Sequence, residues 1–377
     1  MKVAFITERR IARLGAGDWM QARHTCCAMR QLGMDAEHLL VEASPLELRP
    51  LIDPACTLDW SYLASFDVLH VLPKIITSPL LDQLLRHKNK SALLVGSPIY
   101  WDSLTHHLIC LLNTRRAWRG LLAFCAAGLG MAGRRSCGHN AYDLLLLNSR
   151  AEVRCIKRHV RLEPSVFLEV VPNGIEPIPP GAHATARPAS VPANDYIVYP
   201  GVFAPRKNQL GFIRAMRGVP LDVVYLGGPL PGDVGTAQYH AACHAAAPGH
   251  HRFLGAVEHY SELFIGALRY ARVACLASSC ETPGLALLEA AALGARVVAP
   301  NEGSAREYFG AAAEYVNPLS RRSIRMGVER AWRRGRMTAE EIRGIRICTW
   351  AEIARRTLRF YETPSRGWVH PSGARRI

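Results

Sequence analysis

Short apolar segments alternate with longer stretches of helical periodicity along most of this chain of 377 residues. Strand-like runs occupy positions 2–7, 66–72, 91–95, 142–147 and 167–171 in the first half, and 195–200, 222–227, 273–277 and 296–299 in the second. Helical patterns follow several of them, such as 19–33, which Gly33 ends, and 150–159, where Asn148 and Ser149 suit the N-cap. This alternation predicts βαβ units and parallel sheets of the α/β class.

A proline-rich segment separates two similar halves. Residues 176–194 contain five prolines and show no clear periodicity, which is typical of an interdomain linker. We therefore expect an N-terminal domain at 1–175 and a C-terminal domain at 195–345. The last residues, 363–377, are expected to form a flexible tail.

Neither the start nor the middle of the chain resembles a membrane or export segment. The longest apolar run in the middle, 120–133, has 14 residues, whereas a transmembrane helix needs about 20. The N-terminus becomes charged at Glu8 and Arg9 and lacks the layout of a signal peptide, so we expect a cytoplasmic protein. The eleven cysteines form no C-x-x-C pair and no zinc-ligand spacing, which favours reduced, buried thiols.

The chain is strongly basic. Lys plus Arg number 46 against 31 for Asp plus Glu, a net charge of +15. Such a surplus of positive charge indicates a polyanionic binding partner, such as nucleic acid, anionic lipid or a phosphorylated substrate. Nucleic acid is disfavoured because no aromatic–basic motif of the RNP1 type accompanies the charge.

Two glutamates eight positions apart, Glu281 and Glu289, are the strongest candidates for chemistry. The stretch 285–293 carries one charge, Glu289, among Leu and Ala, so it predicts a buried helix that Gly294 ends. A lone carboxylate on such a helix is costly unless it has a hydroxyl-rich partner, a counter-charge or an exposed face.

The start of that helix is a candidate anion site. Thr282, Gly284 and Leu285 offer backbone N–H groups at the positive helix end, and Pro283 suits a first turn. Carboxylates suit hydroxyl groups, and helix amides suit a phosphate. A nucleotide sugar presents both kinds of group.

The segment around these residues, SSCETPGLALLEAAALGARVVAPNEGSAREYF, resembles the donor-site signature of the family-4 glycosyltransferases, group 1. Other segments that resemble the family occur in its order: FDVLHVLP, YDLLLLNSRAEV, VVPNGIEP, YPGVFAPRKNQ, VVYLGGP, FLGAVEHYSEL and TWAEIARRTLRFYE. The resemblance implies the GT-B fold, with two Rossmann-like, doubly wound parallel-sheet domains that face a cleft. It also implies that a C-terminal helix at about 347–362 returns to the N-terminal domain.

The same resemblance implies roles for the donor-site residues. Glu281 is expected to contact the transferred sugar and Glu289 the ribose hydroxyls. Arg206 and Lys207, in the loop that begins at Gly201, are expected to neutralise the donor diphosphate and stabilise it as it leaves. No metal and no covalent intermediate are then required. One departure from the family pattern is Val202, where relatives often have Arg.

Two loops of the first half are further candidates, one on the donor side and one on the acceptor side. Gly15 and Gly17 follow the first strand, where the family has a Gly-rich loop near the diphosphate and the acceptor, so the resemblance implies that they bind the donor. A plain turn there is an equally good interpretation. The loop after the strand 91–95 carries Tyr100, Trp101 and Asp102 where many relatives have a donor-contacting His, and these side chains suit a sugar.

A basic, apolar region at 115–135 has two interpretations. It suits the membrane interface beside a lipid-linked acceptor, or it is an ordinary core helix with exposed arginines. His70, near a strand end, is expected to have a core role, or to support a neighbouring site residue, rather than a catalytic role.

Together these features predict a retaining glycosyltransferase of family-4 type that works without metal or cofactor. It would move a hexose from a UDP- or GDP-linked sugar to a glycan or lipid-linked acceptor, in polysaccharide or glycolipid synthesis at the inner face of the membrane. A catalytically silent relative that binds nucleotide sugars, or acts as a partner subunit, remains an alternative. A GT-B nucleotide-sugar epimerase is disfavoured because such enzymes lack the paired-glutamate segment. The hypothesis of a nucleic-acid-binding protein is supported by the net charge alone.

Overall fold

The computed structural model describes residues 1–9, 17–43, 46–50, 57–72, 79–101, 104–113, 138–177 and 186–362. The chain divides into two compact units, the first comprising Met1–Tyr100, Arg134–Gly174 and Cys348–Ile377, and the second comprising Trp101–Gly133 and Ile175–Ile347. Each unit has its own sheet and its own hydrophobic core.

The elements of the described residues follow the predicted α/β alternation. The strands are β1 Lys2–Glu8, β2 Asp35–Ala43, β3 Leu46–Pro50, β4 Val68–Val71, β5 Leu93–Gly96, β6 Leu144–Leu147, β7 Phe167–Val170, β8 Tyr196–Pro200, β9 Asp222–Leu226, β10 His251–Phe253, β11 Val273–Cys275, β12 Arg296–Pro300 and β13 Glu314–Val316. The α-helices are α1 Gly17–Gln31, α2 Pro79–His87, α3 Leu104–Leu112, α4 Arg150–His159, α5 Gln209–Ala215, α6 Val234–Ala246, α7 Glu262–Arg269, α8 Leu285–Ala292, α9 Ala305–Phe309, α10 Arg321–Arg334, α11 Ala339–Arg343 and α12 Trp350–Glu362.

The first unit is built on a seven-stranded sheet in the order β3-β2-β1-β4-β5-β6-β7. Every neighbouring pair is parallel except β2 and β3, which form an antiparallel hairpin. All four residues of β4, β5 and β6 are buried. Strands covered on both faces are nearly continuously apolar, and here only His70 interrupts the pattern, so these short segments could be predicted from their composition.

Helix α4 begins and ends as predicted. Ser149 is the N-cap, and its side chain accepts a hydrogen bond from the N–H of Glu152 at 3.0 Å. This bond satisfies one of the donors that a helix leaves unpaired at its start.

The C-terminal helix α12 belongs to the first unit, as the resemblance implied. It packs on α1, and the ring of Trp350 stacks on His24 with centroids 5.4 Å apart. Its last turn places the hydroxyl of Tyr361 2.6 Å from Nδ1 of His70. His70 is buried, its Nε2 lies 2.8 Å from Ser97 Oγ, and burial lowers its pKa to about 3. Its expected core role is confirmed.

The second unit is built on six strands in the order β10-β9-β8-β11-β12-β13, all parallel. The chain winds in one direction from β8 to β10 and in the other from β11 to β13. The point where the order reverses lies between β8 and β11. Ligands of open α/β sheets bind outside the carboxyl ends of the strands at such a point.

Several elements were not predicted. Strand β2 carries Glu37, His38 and Glu42, which dilute its apolar signal, and β10 and β13 have only three residues each. Helix α3, in sequence part of the expected domain 1–175, lies in the second unit. Nδ2 of Asn113, just after it, contacts the carbonyl of Pro205 at 3.3 Å.

Candidate functional site

The loops that leave β8 and β11 flank the reversal of strand order in the second unit. Gly201, directly after β8, has a φ of +132° and donates its N–H to the carbonyl of Leu226 at 2.7 Å. A Cβ on Gly227, after β9, would lie 2.2 Å from the carbonyl oxygen of Gly201. The ends of β8 and β9 therefore approach so closely that only glycine fits at 227, and this leaves backbone exposed to an approaching ligand.

A buried ion pair joins the two loops. Nζ of Lys207 lies 2.6 Å from Oε1 of Glu281, and the two side chains are only 13% and 6% exposed. Burial raises the pKa of Glu281, but the charges of Lys207 and Arg206 outweigh it and hold the pKa below the ordinary value. Burial lowers the pKa of Lys207 against the attraction of Glu281. The lowered pKa makes Glu281 a carboxylate at neutral pH, and the short contact to Nζ of Lys207 has the geometry of an ion pair.

Arg206 adds a second cation to this pair. It is exposed, and its backbone carbonyl accepts the N–H of Ser279 at 2.9 Å, which ties the two loops together. The next residue, Asn208, has a left-handed backbone, and its side-chain amide donates to the carbonyls of Ala277 and Pro318 at 3.0 and 2.9 Å. Two cations beside one carboxylate leave a net positive charge, which suits an anionic ligand.

The backbone at Glu281 is fixed by a third loop, which follows β12. Its carbonyl accepts the N–H of Ser304 at 2.8 Å, and it forms a parallel bridge with Gly303. Gly303 has a φ of +96°, and a Cβ there would lie 2.3 Å from the carbonyl oxygen of Glu281. The position of the carboxylate thus depends on glycine at 303.

Helix α8 begins one turn away. Gly284 is its N-cap, with a φ of +86° and no side-chain cap, and Gly294 follows its end with a φ of +91°. Pro283 precedes the cap, so it does not lie in the first turn as expected. The N–H groups of Gly284 and Leu285 have no acceptor among the described residues. They are available to an anion at the positive helix end.

Glu289 is buried on α8, with a side chain only 2% exposed. Its Oε1 lies 2.8 Å from Nε2 of His259 and accepts a hydrogen bond from the hydroxyl of Tyr260 at 3.0 Å. Its Oε2 has no hydrogen-bond partner among the described residues. Sequence reasoning missed His259 and Tyr260. Their only signal is a pair of polar aromatic residues beyond a short strand, inside the segment FLGAVEHYSEL.

The remaining candidate residues, on the donor side Gly15 and Gly17 and on the acceptor side Tyr100, Trp101 and Asp102, lie in different parts of the chain. Gly15 and Asp102 lie outside the described residues, as does 115–135, and Gly17 is the first residue of α1 in the first unit. Tyr100 also lies in the first unit, where its N–H donates to Oε1 of Glu152 at 2.6 Å.

Trp101 and helix α3 lie in the second unit, against the loops that carry the donor-site candidates. The indole of Trp101 donates to Thr282 Oγ1, and Thr105 donates to Glu302. Nδ1 of His106 is 3.0 Å from Ser279 Oγ, two residues before Glu281. This segment therefore forms one wall of the site.

The described residues contain no cluster of three or more His, Cys, Asp or Glu side chains arranged to hold a metal ion. None of their helices has the length and apolarity needed to span a membrane.

Residues 186–318 match the family model described as "Glycosyl transferases group 1". The matched segment contains Arg206, Lys207, Glu281 and Glu289. None of the curated proteins matches the sequence.

Among solved structures, the chain is similar to sucrose-phosphate synthase from Thermosynechococcus elongatus, with 17% identity, a TM-score of 0.68 and coverage of 96% of this chain and 98% of that one. It is similar to Anabaena HepE in complex with UDP and glucose, with 15% identity, a TM-score of 0.60 and coverage of 96% and 95%. A third similar structure is an α,α-trehalose-phosphate synthase from Burkholderia xenovorans in complex with glucose-6-phosphate, with 13% identity, a TM-score of 0.59 and coverage of 78% and 73%.

The chain has the GT-B fold. At these identities the structural likeness establishes the fold alone. The group 1 match covers the loops described above and, with the fold, supports a glycosyltransferase.

Proposed function

We propose that this protein is a retaining, family-4-type hexosyltransferase that takes its sugar from a UDP- or GDP-linked donor. The observation that carries the proposal is the buried carboxylate of Glu289, whose Oε2 has no partner among the described residues. A buried, unpaired carboxylate oxygen is costly unless a ligand pairs with it. The two adjacent ribose hydroxyls of a nucleotide are suitable donors.

The rest of the site suits the diphosphate of such a donor. The site holds one anionic group, Glu281, beside two cations, Arg206 and Lys207, and the free N–H groups at the start of α8. Its net charge is therefore positive and can attract phosphate oxygens. When the bond between the sugar C1 and the phosphate oxygen breaks, its electron pair stays on that oxygen. Fixed cations and amides stabilise this charge as it develops, which is the main catalytic task in such a transfer.

Glu281 is placed to bind the transferred sugar. Because its pKa is held below the ordinary value, it is a carboxylate at neutral pH and can accept hydrogen bonds from sugar hydroxyls. We propose that it orients the hexose while the acceptor hydroxyl forms the new bond to C1 on the face that the diphosphate leaves. The acceptor proton passes to the leaving phosphate oxygen, so no covalent intermediate is formed.

The positive groups of this site do the work that a divalent metal does in other phosphate-transfer sites, so we propose a metal-independent reaction. The acceptor we propose is a glycan or a lipid-linked sugar, in polysaccharide or glycolipid synthesis on the cytoplasmic side of the membrane. Two similar structures contain UDP with glucose and glucose-6-phosphate respectively, which supports a sugar as the transferred group.

A thermal-shift screen tests the donor class. We expect UDP or GDP, at about 100 times its dissociation constant, to raise the melting temperature of the protein by about 5 °C or more. Glu289→Ala should abolish this rise, and Glu340→Ala, which removes an exposed glutamate on α11, should leave it intact. The proposal is wrong if no nucleoside diphosphate shifts the wild type, or if Glu289→Ala responds as the wild type does.

A further inference from the structure

His259 and Tyr260 both bind the same oxygen of Glu289. Nε2 of His259 lies 2.8 Å from Oε1, and the Tyr260 hydroxyl lies 3.0 Å from it. Both residues follow β10 and directly precede Ser261, whose side chain caps α7.

The directions of these hydrogen bonds follow from the chemistry of the groups. A carboxylate only accepts hydrogen bonds, so Nε2 of His259 must carry the proton. The Tyr260 hydroxyl accepts the backbone N–H of Glu176 at 3.0 Å. Its single proton is therefore directed at Glu289.

The two donors occupy Oε1 and leave Oε2 to a ligand. Glu289 is almost fully buried, and its Oε2 has no partner among the described residues. With Oε1 held at two points, the carboxylate has little freedom to rotate. Oε2 is thus presented in one orientation before any ligand binds, which is the preorganisation that binding sites require.

The backbone and the ring packing hold the two donors in place. Tyr260 has a φ of +63°, a left-handed conformation that costs free energy in a non-glycine residue and recurs at functional sites. The ring centroids of His259 and Tyr260 lie 4.1 Å apart, and the rings of His259 and Phe264 pack edge to face with centroids 4.8 Å apart. These contacts fix the side chains from which Glu289 takes its orientation.

We propose that His259 and Tyr260 are positioning residues that aim Oε2 of Glu289 at a ribose hydroxyl and thereby make the site selective for ribonucleotides over deoxyribonucleotides. This inference rests on the proposed function, because it concerns the donor nucleotide of that same site. A site built to hydrogen-bond a hydroxyl rejects an analogue that lacks it, since its own polar group then stays unpaired.

Calorimetric titration with matched nucleotides tests the inference. UDP, 2′-deoxy-UDP and 3′-deoxy-UDP are titrated into the full-length protein, with the three guanosine counterparts in parallel. We expect the wild type to prefer the ribonucleotide by at least about tenfold over one of its deoxy analogues. Tyr260→Phe and His259→Leu should each reduce this affinity ratio to about threefold or less, mainly because the ribonucleotide binds more weakly.

Two further variants separate positioning from a general structural effect. His259→Gln keeps an N–H donor and should restore much of the ratio that His259→Leu loses. Tyr315→Phe, which removes a hydroxyl bonded to the Gly310 carbonyl, should leave the ratio unchanged. The thermal unfolding of each variant is measured as well, to check that its fold is intact.

The outcomes distinguish the two proposals. If Tyr260→Phe and His259→Leu weaken the binding of all three nucleotides equally, the role of Tyr260 and His259 is structural and the inference is overturned. Equal binding of UDP and both deoxy analogues to the wild type would also overturn it, although nucleotide binding itself would stand. If neither UDP nor GDP binds the wild type, the proposed function fails and the inference with it.

Discussion

At the scale of single residues, the pair Lys207 and Glu281 shows how the site tolerates buried charge. Each side chain is largely removed from water, where a lone charge is costly, and each supplies the counter-charge of the other at 2.6 Å. The pair also leaves Arg206 exposed, so the positive charge of the loop stays accessible to a ligand.

Lys207→Met tests the energetic role of this pair. The substitution keeps the length of the side chain but leaves the Glu281 carboxylate buried without its partner, which should lower the free energy of unfolding by about 3 kcal/mol at pH 7. Urea denaturation measures the change. Lys90→Met, at an exposed lysine of the first unit, is the control and should have little effect.

The double variant Lys207→Met with Glu281→Gln sharpens that test. Removing both charges should recover part of the loss, because no unpaired charge is then buried. Equal midpoints for the wild type and Lys207→Met would contradict this view of the site.

The environment of a single residue could be predicted from the sequence where one short segment showed both the residue and its surroundings. A lone glutamate in an apolar helix had to have a partner, and Glu289 has two. The identity of those partners could not be predicted, since His259 and Tyr260 are 30 and 29 positions away and meet Glu289 only through the fold.

At the scale of elements, Arg296 and Glu341 connect β12 to α11. Arg296 is 2% exposed, and its guanidinium group donates to both oxygens of Glu341 at 2.6 and 2.7 Å. Such two-point pairs are strong and geometrically specific. The hydrogen bonds from Arg296, with one from the Thr338 N–H, lower the pKa of Glu341 to about 2.

Glu341→Gln tests this ion pair, because the stability difference between the variant and the wild type should depend on pH. The pKa of Glu341 is lower in the folded state than its ordinary value of 4.5, so the carboxylate stabilises the fold above about pH 4.5. That contribution is lost as the pH falls towards about 2. We expect the variant to be about 1 kcal/mol less stable at pH 7, with the difference shrinking below pH 4.5.

Denaturant titrations at several pH values measure this difference. Gln at 341 preserves the capping box with Thr338, so the loss reports on charge rather than on the helix start. Glu340→Gln, at the exposed neighbouring position, is the matched control. A stability difference that did not change with pH would contradict the assignment.

Elements with a strong local signal were predictable from the sequence. The strands β5 and β6 are apolar throughout, β4 is apolar apart from His70, and α4 carries its own N-cap. Strand β2 was missed because its Glu37 and His38 interrupt the apolar pattern, and it is held by its pairing with β1. Tertiary pairing of this kind leaves little trace in the local sequence.

At the scale of the whole molecule, α12 belongs to the same unit as the first strand, β1. The helix buries Trp350, Ile353 and Tyr361, and the Tyr361 hydroxyl pairs with a neutral His70 in β4. Helix α12 is therefore packed into the first unit.

Tyr361→Phe should weaken the first unit alone. The change leaves Nδ1 of His70 buried without its partner, at a cost of about 1 to 3 kcal/mol. Amide exchange should show faster exchange in β4 and α1, while β8 and β11 in the second unit keep their protection. Uniform loss of protection in both units, or none in either, would contradict this assignment.

The order of motifs predicted two α/β halves with a C-terminal helix that returns to the first half. The position of α3 could not be predicted in this way, because its contacts with Pro205, Ser279 and Glu302 join segments far apart in sequence. The proposed membrane contact at 115–135 stays a prediction.

The most direct test of the central claim is a crystal structure with bound UDP or GDP, whichever the protein binds more tightly. The account predicts the ribose hydroxyls at Oε2 of Glu289, and the diphosphate at Arg206, Lys207 and the first N–H groups of α8. A nucleotide bound elsewhere on the chain, with Glu289 making no contact to it, would contradict the account.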